Sequence, residues 1–156
     1  MSGRLQGRVA LIIGAARGIG AGIAERFVEE GARIMVADNE PEAGAATASD
    51  LKGRFVLTDI SRKDQAENAV TETLAAFGGL DIVVQNAGIY PWSLIANIEP
   101  EEWDAVMGVN LRGTYLIARA ALPHMKAKKY GRMVFTSSLT GPRMTSPGHG
   151  HYSASK

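Results

Sequence analysis

The chain has 156 residues, 46% hydrophobic and 21% charged, the length and balance of one globular domain able to bury a core. A formal net charge of +1, with acids and bases interspersed, excludes the basic stripe of a nucleic-acid binder and the polybasic face of a membrane-surface protein. Cysteine is absent, which excludes disulfides and thiolate metal sites and suits a reducing, cytoplasmic compartment. The apolar run near the N-terminus is too short for a membrane span and passes straight into glycines, so neither signal peptide nor anchor is expected.

That run, Val9-Ala10-Leu11-Ile12-Ile13, is short, β-branched and bounded by glycine, as a buried parallel strand should be. After Gly14-Ala15-Ala16-Arg17-Gly18-Ile19-Gly20 the pattern changes. Ile19, Ile23, Ala24 and Phe27 recur at helical spacing, with Glu25, Arg26, Glu29 and Glu30 opposite. The glycines therefore occupy a strand-to-helix turn, where free N–H groups and the helix dipole favour a pyrophosphate. Gly14 would allow the tight turn, Gly18 the close approach of backbone to phosphate, and Gly20 the close packing of helix on strand. A merely structural turn is the competing reading, and it weakens once an acidic residue follows at the right place. Arg33–Ala37 reads as a second strand and Asp38 ends it, about 20 residues past the loop, where a dinucleotide-binding unit carries its ribose-recognising carboxylate. Asp38 would repel a 2′-phosphate and so argues for NAD over NADP, whereas the Arg17 guanidinium could pair with that phosphate. The plain alternative makes Asp38 a solvated turn residue before Asn39 and Pro41.

Residues 41–51 are rich in alanine and glutamate, a helix former, and Arg54–Leu57 is a third strand. Ser61 has the chemistry of an N-cap for a helix over Lys63–Phe77, which the Gly78-Gly79 pair stops. Residues 81–84 form a fourth strand, followed by Gln85-Asn86-Ala87-Gly88, and residues 90–99 lack a period and read as a loop. Pro100-Glu101-Glu102 opens a long helix reaching about Lys128, bent where Pro123 removes a backbone hydrogen bond. Gly131 closes the helical region, and residues 132–138 form a fifth strand ending in hydroxyls. Strand and helix alternate throughout, which defines an α/β fold: a doubly wound parallel sheet with helices on both faces, in one domain over residues 1–156.

Gly14, Gly18 and Gly20, Asp59, Asn86-Ala87-Gly88, Asn110, Ser138 and Tyr152-Ser-Ala-Ser-Lys156 together resemble the successive motifs of the classical short-chain dehydrogenase/reductase family, in the family's order along the whole chain. Ile13 stands where that family usually has threonine, Gln85 replaces its first asparagine, and the loop from Ser138 to Tyr152 is one residue longer than the commonest version. That loop leaves Ser137 and Ser138 both open, with Ser138 preferred for its distance to Gly141. The resemblance implies a Rossmann fold whose C-terminal strands lie beyond Lys156, so that the domain is expected to be incomplete and the chain alone a poor catalyst. It also implies a homodimer or homotetramer at full length.

Tyr152 and Lys156 are four apart, so on a helix they share a face, where an ammonium stabilises a tyrosinate that would otherwise be scarce at neutral pH. The resemblance assigns Tyr152 as general acid/base, Lys156 as its electrostatic partner and ribose ligand, and Ser138 as the donor to the substrate oxygen. Asn110 would shape its helix and hold a proton-relay water. Arg17 and Ile19 in the glycine loop would lie against the cofactor, Asp59 and Ile60 against the adenine, and Asn86, Ala87 and Gly88 along the cleft. A surface Tyr–Lys pair, a strand-ending serine and a tolerated helix asparagine are the bland readings of the same residues. His149 and His151 have no nearby carboxylate or thiol in sequence, so no metal site is expected. Together with Tyr90, Pro91, Trp92, Pro142, Arg143 and Met144 they are expected to rim a substrate pocket, with Arg143 either attracting an anion or merely solvated. The expected function is interconversion of a secondary alcohol and a ketone with NAD, NADP being the less favoured cofactor. A 3-oxoacyl thioester reductase and a sugar or polyol dehydrogenase are both open within that class. The alternative is a non-catalytic dinucleotide-binding or sensing module, or an inactive fragment.

Overall fold

The computed structural model describes residues 3–141 and 143–156. Five strands, β1 (Val9–Ile13), β2 (Arg33–Asp38), β3 (Arg54–Leu57), β4 (Ile82–Gln85) and β5 (Arg132–Phe135), form one sheet in the order β3-β2-β1-β4-β5. Every neighbouring pair is parallel. The connections are helical: α1 (Gly18–Glu29), α2 (Pro41–Asp50), α3 (Lys63–Phe77), α4 (Pro100–Met107) and α5 (Gly113–Ala127), with a short α6 (Gly150–Ser155) after the sheet.

Strand alternation divides the core into two layers. Ala10, Ile12, Ile34, Val36, Ile82 and Val84 pack with Ala24 of α1 and Ala48 of α2. Leu11, Ile13, Met35, Ala37 and Val83 face the other way, onto Ala66, Ala69 and Val70 of α3 and Leu116, Ile117 and Ala121 of α5. Leu11 and Ile12 expose no surface, so each contributes about 1.5–3 kcal/mol through burial. The strand order reverses between β2-β1 and β1-β4, which opens a crevice beyond the carboxyl ends of the central strands.

Several local expectations need correction. Ser61 does not cap α3: its N–H and hydroxyl both donate to Asp59 Oδ1, at 3.0 and 2.7 Å, and the helix starts two residues later with no side-chain cap. Residues 100–127 are not one α-helix bent at proline. The helix continues through Pro123, whose exposed position lets water take the orphaned carbonyl, and the departure lies instead at a π segment, Gly108–Arg112. The Thr114 hydroxyl bonds the Asn110 carbonyl there at 2.8 Å. Lys129, at φ 55°, makes the left-handed turn after α5, whereas Gly131 gives up its Cβ to make room for Met125. Ile19 leaves the apolar stripe of α1 and is 71% exposed at its open end. The fifth strand ends at Phe135, so residues 136–138 lie beyond it.

Candidate active site

The glycine loop is held by its neighbours from both sides. The Gly14 N–H donates to the Ala37 carbonyl at 2.8 Å, and the Asn86 amide donates to the Gly14 carbonyl at 3.2 Å. Gly14 has φ 77°, and a Cβ there would stand 2.5 Å from the Ala87 nitrogen, while one on Gly20 would stand 1.9 Å from the Gly14 carbonyl oxygen. Gly18 differs: φ is 59° and nothing lies within 4 Å of its missing Cβ. Its free face opens at the start of α1, which has no acidic residue in its first turn and no side-chain cap. An open glycine, an uncapped helix N-terminus and no competing carboxylate fit a pyrophosphate.

Beside the loop lies a cleft of about 380 Å³, lined by Gly14, Asp38, Asn39, Glu40, Thr58, Asp59, Ile60, Asn86, Ala87, Gly88, Ile89 and their neighbours. Both Asp38 oxygens accept backbone N–H groups, Oδ2 from Ala16 at 2.8 Å and Oδ1 from Glu40 at 3.2 Å, so the carboxylate is fixed in place. Arg17 is ion-paired with Glu40 and does not line the cleft. Asp59 sits at the crevice floor with its backbone N–H bonded to Gln65. The Ile60 side chain is buried in the α3/α5 layer against Gly113, so it offers the cleft little beyond its backbone.

A second, smaller hollow of about 240 Å³ is lined by Tyr90, Ser138, Thr140, His149 and Tyr152. Ile89 borders the first cleft and Tyr90 the second, so the two adjoin through consecutive residues. Tyr152 is flanked edge-on by Tyr90 and His149, with ring centroids at 6.0 and 6.2 Å. The Lys156 ammonium stands 5.8 Å from the Tyr152 ring centroid and donates to the Thr136 carbonyl at 2.8 Å. Burial holds the Lys156 pKa below its ordinary value. Of the two candidate serines, Ser138 faces this hollow, with Oγ accepting the Thr140 N–H at 3.1 Å, whereas the Ser137 hydroxyl turns to the Lys156 carbonyl.

Asn110 is 3% exposed and ties three segments together. Its Oδ1 accepts the Ile89 N–H, and its Nδ2 donates to the Ile89 carbonyl and to Ser155 Oγ, each at 2.9 Å. Both amide protons are therefore taken. The π segment gives Asn110 this inward reach, fixing the Gly88-Ile89 turn against α6.

The pocket rim is smaller than expected. His151 is fully buried and turned away from the hollow, with Nε2 2.9 Å from Glu102 Oε1 on α4. Trp92 packs on Gly148, and Arg143 and Met144 are exposed, while Pro142 lies outside the described residues. Among the described residues no three His, Cys, Asp or Glu side chains come together as a metal would need. No helix among them is long and apolar enough to cross a membrane. Glu40, Thr136, Ser155 and the Glu102–His151 pair escaped sequence reasoning, because each acquires a partner across elements far apart in the chain. Glu40 alone left a local signal, an acid two residues past Asp38.

The family model described as short chain dehydrogenase matches residues 8–156. The chain belongs to the short-chain dehydrogenase family. Among its relatives, a 3-oxoacyl-[acyl-carrier-protein] reductase of Chlamydia muridarum is 37% identical, covering 100% of this chain and 65% of the relative. An L-fucose dehydrogenase of Bos taurus is 39% identical over 90% of this chain and 53% of its own length. A 3-alpha-(or 20-beta)-hydroxysteroid dehydrogenase of Mycobacterium tuberculosis is 40% identical over 100% of this chain and 60% of its own. The chain thus spans between 53% and 65% of the length of these relatives. A crystal structure of a metagenomic short-chain oxidoreductase in complex with NADP superposes with a TM-score of 0.91 at 36% identity, covering 97% of this chain and 71% of that one.

Proposed function

We propose that the protein containing this chain is a nicotinamide-dinucleotide oxidoreductase that interconverts a secondary alcohol and a ketone, with NAD preferred. The observation that carries the reading is the convergence of Tyr152 and Ser138 on one hollow, with Lys156 beside the tyrosine and the glycine-lined cleft adjoining. Gly14, Gly18, Ile19 and Gly20 would hold the pyrophosphate, Asp38 the adenosine ribose, Asp59 and Ile60 the adenine end, and Asn86, Ala87 and Gly88 the wall between. A nicotinamide held there would supply the hydride acceptor for oxidation and the hydride donor for reduction. The Ser138 hydroxyl donates to the substrate oxygen and fixes its position. Tyr152 takes the hydroxyl proton as that hydride leaves, so the alcohol loses one hydride and one proton and becomes the ketone. In reduction Tyr152 gives the proton back. The Lys156 ammonium would supply positive charge beside the Tyr152 ring, favouring the tyrosinate that takes the proton, and Asn110 holds α6 in register with the Ile89 turn.

Tyr152→Phe in the full-length protein containing this chain, assayed over 3-oxoacyl thioesters, hydroxysteroids, sugars, polyols and simple secondary alcohols, is expected to lose at least about 100-fold in turnover with dinucleotide affinity retained. Turnover near the wild-type level would sink the catalytic assignment. Dinucleotide binding without turnover on any of these substrates would favour the non-catalytic sensing module. NADP is the second cofactor reading, favoured by the similar structure that holds it. The preference for NAD rests on Asp38, because one unfavourable charge contact at the ribose is worth about ten- to hundredfold in affinity. A cytoplasmic setting and assembly into a homodimer or homotetramer belong to the same proposal, supported by the cysteine-free composition and by exposed Leu111, Tyr115 and Leu122.

A further inference from the structure

We infer that Glu40 decides between phosphorylated and unphosphorylated dinucleotides, by occupying the Arg17 guanidinium beside the ribose end of the cleft. The inference rests on the dinucleotide-binding reading above and adds to it a residue that acts on Arg17. Glu40 occupies the N-cap position of α2, yet its side chain does not cap that helix. Pro41 follows it and brings no N–H to satisfy. The carboxylate instead crosses to the glycine loop and pairs with Arg17. The two segments are laced together at this point: Glu40 N–H donates to Asp38, Asp38 accepts Ala16 N–H, and the Thr47 hydroxyl of α2 donates to the Ala16 carbonyl at 2.7 Å.

The charge around the cleft follows from this pairing. Its described lining carries three carboxylates, Asp38, Glu40 and Asp59, and neither Lys nor Arg. A 2′-phosphate would enter a negative field whose nearest loop cation is already engaged. The ion pair is exposed, with side-chain accessibilities of 68% for Arg17 and 47% for Glu40, so it is weak in water and a phosphate could compete for the guanidinium. Glu40 therefore acts twice, adding its own charge against the phosphate and occupying its counter-ion. Asp38 alone does only the first.

The test is calorimetric titration of the protein with NAD⁺ and with NADP⁺, read as the ratio of the two dissociation constants. Glu40→Gln is expected to move that ratio toward NADP⁺ by about tenfold or more. Adding Arg17→Ala to Glu40→Gln should cancel most of the gain, because the freed guanidinium is what binds the phosphate. Glu42→Gln, an equal change of net charge at an exposed position in the first turn of α2, should leave the ratio within about threefold of wild type. An unchanged ratio in Glu40→Gln overturns the inference, as does a gain that survives Arg17→Ala undiminished or appears equally in Glu42→Gln. Failure of the wild type to bind either dinucleotide is a different result: it removes the underlying reading, and this inference with it.

Discussion

At the scale of single residues, the glycines of α1 separate into those the fold requires and those it tolerates. Gly20 packs so closely on the loop that an added Cβ would overlap the Gly14 carbonyl, and backbone cannot swing aside as a side chain can. Gly20→Ala should cost about 1–3 kcal/mol of stability. Gly22, two residues on, has nothing within 4 Å of its missing Cβ and sits in the helix interior, so Gly22→Ala should gain about 0.5–1 kcal/mol. Urea unfolding of the two variants tests the pair, and shifts of the same sign would contradict it. The placement of Gly14, Gly18, Gly20 and Asp38 was legible in sequence because strand, turn, helix and acid follow one another within one βαβ unit. The partner of Arg17 was not, since a guanidinium on a loop faces several acids and only the fold selects Glu40.

At the scale of elements, α6 is six residues long, too short to be stable by itself, and it carries Tyr152. Side chains tie it down at three points: Ser155 to Asn110 of the π segment, His151 to Glu102 of α4, and Ser153 to Thr145. Glu102→Ala would leave a fully buried imidazole without its partner and should cost about 1–3 kcal/mol. Glu102→Gln keeps an acceptor oxygen and should recover most of that loss. Equal unfolding midpoints for wild type and Glu102→Ala would show that α6 is seated by other contacts. The strands were readable from short apolar runs, and α3 from its period and its glycine stop. The π segment was not, because Gly108-Val109-Asn110-Leu111-Arg112 keeps a helical pattern while the extra residue per turn answers to Ile89, some twenty positions away. His151 was misplaced on the rim for the same reason: a histidine between a loop and Tyr152 gives no local sign that it points at α4.

At the scale of the whole molecule, the parallel sheet sends every strand's carboxyl end to one side, and Gly14, Asp38, Thr58, Asn86 and Ser138 follow those ends. The opposite edge carries a charged cluster around Asp81, which is 6% exposed. Its carboxylate accepts the Val9 N–H at 2.9 Å and the Lys128 ammonium at 2.7 Å, with Arg8 at 3.4 Å. Burial pushes the Asp81 carboxyl up, but the Lys128 and Val9 hydrogen bonds and the charges of Lys128 and Arg8 outweigh it, leaving the pKa below its ordinary value. A carboxyl depressed on folding stabilises fully above its unfolded pKa and loses that contribution as pH falls through the folded one. The stability gap between wild type and Asp81→Asn should therefore be widest near neutral pH and close in acid, and a gap that widens on acidification would contradict the assignment. Asp81 and Asn86 lie at opposite ends of β4, about 16 Å apart along the strand. That separation gives the protein a handle as well as a mouth. A fluorophore or surface tether attached near Lys129, beside the Asp81 edge, would leave the crevice facing the solution, so that an immobilised chain could still be challenged with nucleotides while its anchor reports on unfolding.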